Sequence, residues 1–249
     1  MNEFIIVAAA GLLAGAMNAV AGGGSFITLP VLVAVGVPSL NANATSTVAL
    51  VPSALASAYA YRHDFRGFDG VRLSTMAVIS VVGGALGAVL LIVTPQSVFD
   101  HLFPFLLLFG ALVFSFGRGL GDILRRHMTV HASALPITQF FLGVYGGYFG
   151  GAVGVMMLAT WTILTRTSIN NMQASRHLLN ASMNTTASIL MIASGLIYWS
   201  HMAVMLVTAI IGGYGAAAFG RRLDQQKARV MISILNFIVV ALIFWRQFG

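Results

Sequence analysis

The stretch Gly15–Pro30, GAMNAVAGGGSFITLP, decides how the chain folds. It starts inside an apolar segment, breaks at Gly22-Gly23-Gly24-Ser25, resumes as Phe26-Ile27-Thr28-Leu29 and meets Pro30. Each glycine costs a helix about 1 kcal/mol against alanine, and glycine lets backbone or ligand approach closely. Unwound backbone at membrane depth survives only where protein or a polar cavity satisfies its N–H and C=O groups. The break therefore predicts a helix–loop–helix hairpin with N–H groups at its tip. A second break lies at Gly143–Gly151, GVYGGYFGG. In one register Gly15 falls on Gly143, Gly22 on Gly150 and Gly23 on Gly151. Glycines also serve close helix packing in membranes. Paired interruptions in corresponding halves point instead to a transporter site.

Composition agrees with a membrane reading. The 249 residues are 58% hydrophobic and 8% charged, with no cysteine. A soluble domain carries about 25% charged residues, so the chain is a polytopic all-α membrane protein. Without cysteine there are no disulfides, thiolate metal sites or cysteine nucleophiles. The net charge of +7 does not imply nucleic acid. The basic residues lie in short loops between apolar segments, which is the positive-inside pattern. The N-terminal stretch imitates a signal peptide, with Ala19-Val20-Ala21 resembling a cleavage site. Its leading region holds Glu3 and no positive charge, so it is taken as a retained first helix.

Ten apolar segments follow. The first five are Phe4–Ala21, Phe26–Val37, Ala42–Tyr61, Val71–Val93 and Val98–Phe116. The second five are Ala132–Phe149, Ala152–Thr165, Ala174–Ser194, Met202–Gly220 and Ala228–Trp245. A span needs about 20 residues, so Phe26–Val37 and Ala152–Thr165 read as half-helices or re-entrant arms. Pro52 and Pro104 fall inside segments and are expected to kink them. The longest polar connection, Arg118–His131, separates the halves. This gives a first repeat at 1–117, a cytoplasmic linker at 118–131 and a second repeat at 132–249.

Charge sets the expected topology. Basic residues cluster at Arg62, Arg66 and Arg72, at Arg118, Arg125 and Arg126, around Arg166 and Arg176, and at Arg221, Arg222, Lys227 and Arg229. The connections near Pro38, Pro95-Gln96 and Gly195–His201 carry no Lys or Arg. If each broken pair enters and leaves on one side, all four clusters face the cytoplasm and only Arg246 lies outside. If each pair makes a single crossing, the last cluster lands opposite the first. The first arrangement obeys the positive-inside rule. It leaves each half an odd number of crossings, so the halves are inverted, as in many secondary transporters.

Glu3, Asp64, Asp69, Asp100, Asp122 and Asp224 all lie at or outside segment ends. No carboxylate sits mid-membrane for a proton relay, a cation site or paired-carboxylate hydrolysis. The interior holds neutral polar groups, among them Asn18, Ser25, Thr45, Ser46, Thr47 and Ser53 in the first half and Asn180, Asn184 and Thr185 in the second. Donors without carboxylates suit an anion, which helix N-termini and glycine-loop amides also favour. Arg176 is open to two readings, an interfacial snorkelling anchor or an anion contact. His177 is an ordinary buried histidine or a proton-sensitive gate. Asn180 and Asn184 share a helical face and serve interhelical hydrogen bonding or substrate contact. Thr45-Ser46-Thr47 is expected to open the helix after the first hairpin, where hydroxyls cap or hold an anion. The six histidines show no metal or haem spacing, so no metal or cofactor is expected.

The residues Gly11–Ser46, GLLAGAMNAVAGGGSFITLPVLVAVGVPSLNANATS, are similar to the opening of the sulfite exporter TauE/SafE-like family of membrane permeases. Phe140–Leu158, FFLGVYGGYFGGAVGVMML, and the later Asn180…Asn184 helix resemble that family's second repeat. In one respect the chain departs, because Arg176-His177 stands where the second-repeat helix often begins with small hydroxyl residues. The resemblance implies a permease for sulfur-containing or organic anions such as sulfite, thiosulfate or a sulfonate, and not an enzyme. It implies a multi-pass protein of the cell (inner) membrane, its basic loops cytoplasmic, with the lipid bilayer and a small inorganic or organic anion as partners. Direction, coupling ion and oligomeric state stay open. The expected site takes Asn18, Gly22, Gly23, Gly24 and Ser25 from the first hairpin and Gly150 and Gly151 from the second. Thr45 and Ser46 join from one following helix, and Arg176, His177, Asn180 and Asn184 from the other. Side chains at Gly23 and Gly151 are expected to fill the anion's space. The competing class is a non-transporting membrane subunit that scaffolds a redox or sulfur-metabolism partner and uses its glycines only for packing.

Overall fold

The computed structural model describes residues 2–20, 23–68, 70–127, 132–165, 167, 169–219 and 225–248. Among the described residues there are ten α-helices and no strand. The first five are α1 (Asn2–Val20), α2 (Ser25–Ala34), α3 (Ser39–Ala60), α4 (Leu73–Val93) and α5 (Gln96–His127). The second five are α6 (Leu135–Tyr148), α7 (Val153–Leu164), α8 (Ile169–Ala193), α9 (Trp199–Phe219) and α10 (Gln225–Phe248). Leu73–Val93, Gln96–Gly117 and Trp199–Ala216 are long and apolar enough to cross a membrane. The 22-residue α3 and 25-residue α8 have the length. Their Ser, Thr and Asn residues lower their apolarity, which is the mark of helices that line a polar interior.

The two short apolar runs are short helices, 10 residues in α2 and 12 in α7. Ser25 and Val153 begin them at the same offset that relates Gly23 to Gly151. A break after α1 allows α2 to fold back and pack on it, and Ile27 packs against the buried cluster of Ala14, Leu50 and Ala209. Phe26 N–H donates to Gly23 O, and Ile27 and Thr28 N–H to Gly24 O, which closes the turn. Pro30, Pro52 and Pro104 lie inside α2, α3 and α5, where each removes one backbone donor.

Three of the boundaries that shift bear on the site. α3 begins at Ser39, directly after Pro38, and not at Ala42. Its polar first turns make tertiary bonds that hydropathy does not register. Ser39 and Gln96 both donate to Asp100, Asn41 to Leu196 O, and Asn43 to Tyr148 O. Thr45-Ser46-Thr47 therefore sits inside α3 and does not open it. α8 begins at Ile169, which places Arg176 inside the helix and not at its start. α5 runs 32 residues to His127, so most of the expected polar connection is helical. Positions 128–131, 166 and 220–224 lie outside the described residues.

Two crossings frame the bundle. α1 packs on α9 and α4 on α6. A Cβ added to Gly15 would strike the Ala209 backbone, and one on Gly147 the Gly84 backbone. Small residues allow backbones to approach in this way, which is how helices associate in lipid. Exchanging α1–α5 for α6–α10 carries the first crossing onto the second, and α3 and α8 meet each other across that exchange. Buried aromatics, including Phe26, Phe99, Phe103, Phe114 and Phe149, fill the interior around α2 and α5.

Candidate functional site

Between the hairpin tips and the inner faces of α3 and α8 lies a cavity of about 90 Å³. Asn18, Gly23 and Ser25 reach it from the first hairpin, and Gly150 and Ala152–Val155 from the second. α3 contributes a face running from Thr47 through Leu50, Val51 and Ala54 to Ser57, with Ser53 beside it. α8 contributes Arg176, His177, Asn180 and Asn184. No carboxylate lines the cavity among the described residues.

The first tip is held by a side chain. Gly24 N–H donates to Asn18 Oδ1 at 2.8 Å, and Asn18 Nδ2 donates to Ser53 Oγ at 3.3 Å. The Gly24 amide is thus occupied within the protein. That leaves Ser25 N–H, ahead of the first helical bonds, as the α2 amide at the cavity. Ser53 accepts from Asn18 and keeps its own proton for another partner. Thr47 and Ser57 donate to carbonyls of their own helix, Asn43 O and Ser53 O, so their oxygens offer lone pairs to the cavity.

The second tip is held by backbone. Gly150 N–H donates to Tyr145 O, and Gly150 and Ala152 both have positive φ, 74° and 59°. Alanine in the left-handed region costs about 1–2 kcal/mol. Here it turns the chain so that α7 begins at the cavity wall. Val155 and Met156 N–H both donate to Ala152 O. The N–H groups of Val153 and Gly154 precede them, in the turn that a helix leaves without internal partners. Neither α2 nor α7 has a side-chain cap.

Arg176 is 8% exposed and lies against this second N-terminus. Its Cδ and Nη1 would be 3.3 and 3.5 Å from a Cβ on Gly154. A side chain this enclosed does not reach out to snorkel. One guanidinium N–H donates to His177 Nε2 at 3.2 Å, and the His177 ring stacks on Tyr61 at 4.8 Å. Asn184 Nδ2 donates to Asn180 O and Oδ1, so the pair bonds within α8. Asn180 Nδ2 is left as an amide donor on the wall.

Four expected site residues stand elsewhere. Thr45 is fully buried and accepts from Tyr198 N–H. Ser46 is hydrogen-bonded to Thr28. A Cβ on Gly24 would lie 2.6 Å from Ala14 O, and one on Gly151 2.6 Å from the Phe149 ring. Those two glycines serve close packing. Gly23 lines the cavity, yet its added Cβ would point at Phe114 and Phe26 and not into the open space. The expectation that side chains at Gly23 and Gly151 fill the anion's space is therefore replaced by one of steric damage. Gly22 lies outside the described residues. Ser53, Ser57 and Gly154 were not among the expected site residues. The spacing of Thr47, Val51, Ala54 and Ser57 places them on one helical face and was the available signal.

The family model for the sulfite exporter TauE/SafE matches residues 7–243 of this chain. A Haemophilus influenzae protein named "Probable membrane transporter protein" is 30% identical over 241 residues, which is 95% of this chain and 92% of that protein. "Probable membrane transporter protein YfcA" of Escherichia coli K12 is 29% identical over 243 residues, 96% of this chain and 88% of that one. "Probable membrane transporter protein ORF9" of Sinorhizobium is 27% identical over 242 residues, covering 96% and 89%.

Proposed function

The chain belongs to the sulfite exporter TauE/SafE family of multi-pass membrane transporters, and on that premise we propose that it carries a small anion, a sulfur oxyanion such as sulfite or thiosulfate or an organosulfonate, by alternating access. The observation that supports this most directly is Arg176 packed at the α7 N-terminus, on the wall of a cavity whose described residues include no carboxylate. A guanidinium, two uncapped helix N-termini and the donors of Ser53 and Asn180 all favour negative charge.

The halves 1–117 and 132–249 are the proposed inverted repeats, joined through 118–131 and rocking against each other about the cavity. Three features support this: the exchange of helix crossings, the hairpin fold-back of α2 on α1, and the basic loops. The proposed membrane is the cell (inner) membrane, with the basic loops on the cytoplasmic side. In that orientation the cavity follows α3 from Thr47 toward its cytoplasmic end at Ser57. On the other side Asn41, Asn43 and Thr45 tie α3 to Leu196, Tyr148 and Tyr198. We read this conformation as facing inward.

Purified protein in liposomes, offered labelled sulfite, thiosulfate and small carboxylates, tests transport, and movement of none of them would favour the scaffolding subunit. Binding isotherms test the site. Arg176→Gln is expected to weaken sulfite or thiosulfate binding by about 1.5–3 kcal/mol, the worth of a charge-assisted hydrogen bond, or roughly 10- to 150-fold. Arg176→Lys should restore part of this, since it keeps the charge and loses the planar fork. Equal dissociation constants across the three proteins would remove Arg176 from the site.

A further inference from the structure

We infer that Gly154 is a positioning residue for the anion site: its missing side chain is the slot in which the Arg176 stem and guanidinium lie against the first turn of α7. This rests on the anion site proposed above and extends it to the missing side chain of Gly154, which acts on the anion through Arg176. Gly154 lies within α7 and is absent from the glycines with positive φ, so backbone conformation does not require glycine there. Helix propensity opposes it, because alanine is the better helix former. The remaining reason is space. The three atoms nearest an added Cβ are Arg176 Cδ at 3.3 Å, Nη1 at 3.5 Å and Cγ at 3.8 Å, all from the one side chain. Any residue larger than glycine pushes on the arginine and on nothing else so near.

The position matters electrostatically. The N–H groups of the first turn carry the positive end of the helix dipole. Arg176 beside them places a full charge and the partial charge on one side of the cavity. Two like charges are held together only if an anion is to share them, or if other partners balance the arginine when the site is empty. The His177 ring accepts from the guanidinium and stacks on Tyr61. Gly154 and His177 thus both lie against the side chain. A shift of the guanidinium by a fraction of an ångström changes its distance to a bound oxyanion, and such misplacement has large effects in sites built on fixed geometry.

The test is a graded series in two backgrounds. Gly154→Ala moves the stem slightly and is expected to raise the dissociation constant for sulfite about threefold. Gly154→Val reaches the guanidinium and should raise it roughly tenfold or more. In liposomes the KM should rise while the maximal rate changes little. In an Arg176→Gln background, adding Gly154→Ala should change nothing, since residues that act through one contact are non-additive. If Gly154→Val fails to fold, the alanine variant still decides. Normal binding by Gly154→Ala, with Arg176→Gln impaired, would overturn this inference and leave the anion site standing. An equal loss from Gly154→Ala in both backgrounds would also overturn it, because the glycine would then act on the cavity directly. Normal binding by Arg176→Gln would take Arg176 out of the anion site and overturn this inference with it.

Discussion

The two hairpins are built on one plan and finished differently. At the first tip an amide side chain, Asn18, occupies the Gly24 N–H and anchors to Ser53 on α3. At the second no such clamp is present among the described bonds. The turn is made by the Gly150 backbone bond and two left-handed residues, and Arg176 lies over the start of α7. The first tip is neutral and tied to the wall. The second leaves its leading amides beside a cation. Near-equal glycine runs in sequence thus yield a structural tip and a charged one, because what surrounds each run comes from other helices. Asn18 is local to its own hairpin, whereas Arg176 arrives from α8.

The comparison depends first on the two tips entering from opposite sides. This chain is free of cysteine, so single cysteines at positions 66, 96, 125, 200 and 227 can be probed with a membrane-impermeant reagent. Positions 96 and 200 should label from outside and the other three only after permeabilisation. The expected contrast is all-or-none, and outside labelling at 227 would break the inverted arrangement. A smaller effect separates the packing of the tips. Gly24→Ala sets a Cβ against the Ala14 carbonyl, which is helix backbone and cannot yield, and should destabilise by about 1–3 kcal/mol. Gly151→Ala meets the edge of the Phe149 ring, which can turn aside, and should cost less. Apparent melting temperatures in detergent check the order. The reverse order would mean that the second tip is the more rigid one. The smallest effect is at Ala152. Glycine adopts its φ of 59° without strain, so Ala152→Gly should stabilise the fold by up to about 1 kcal/mol. A lower melting temperature would show that the alanine methyl packs for more than its strain.

The sequence by itself determined the membrane class, the two broken elements and their register, because apolar run length and consecutive glycines act locally. It also picked out Asn18, Ser25, Gly150, Arg176, His177, Asn180 and Asn184, all of which line one cavity. What it misplaced was of a different kind. Ser39 and Asn41 look like a polar approach to a helix, yet they belong to its first turn, since their partners are Asp100 and Leu196 on distant segments. Thr45 and Ser46 read as anion ligands and turn out to hold Tyr198 N–H and Thr28. Arg176 stood open between a helix-end anchor and an anion contact, and α8 extends past it. Gly154 could not be read at all from its neighbours in the chain, because the atoms that require a glycine there belong to Arg176. A side chain's type fixes what it can bond to, and only the tertiary structure decides which partner stands within reach.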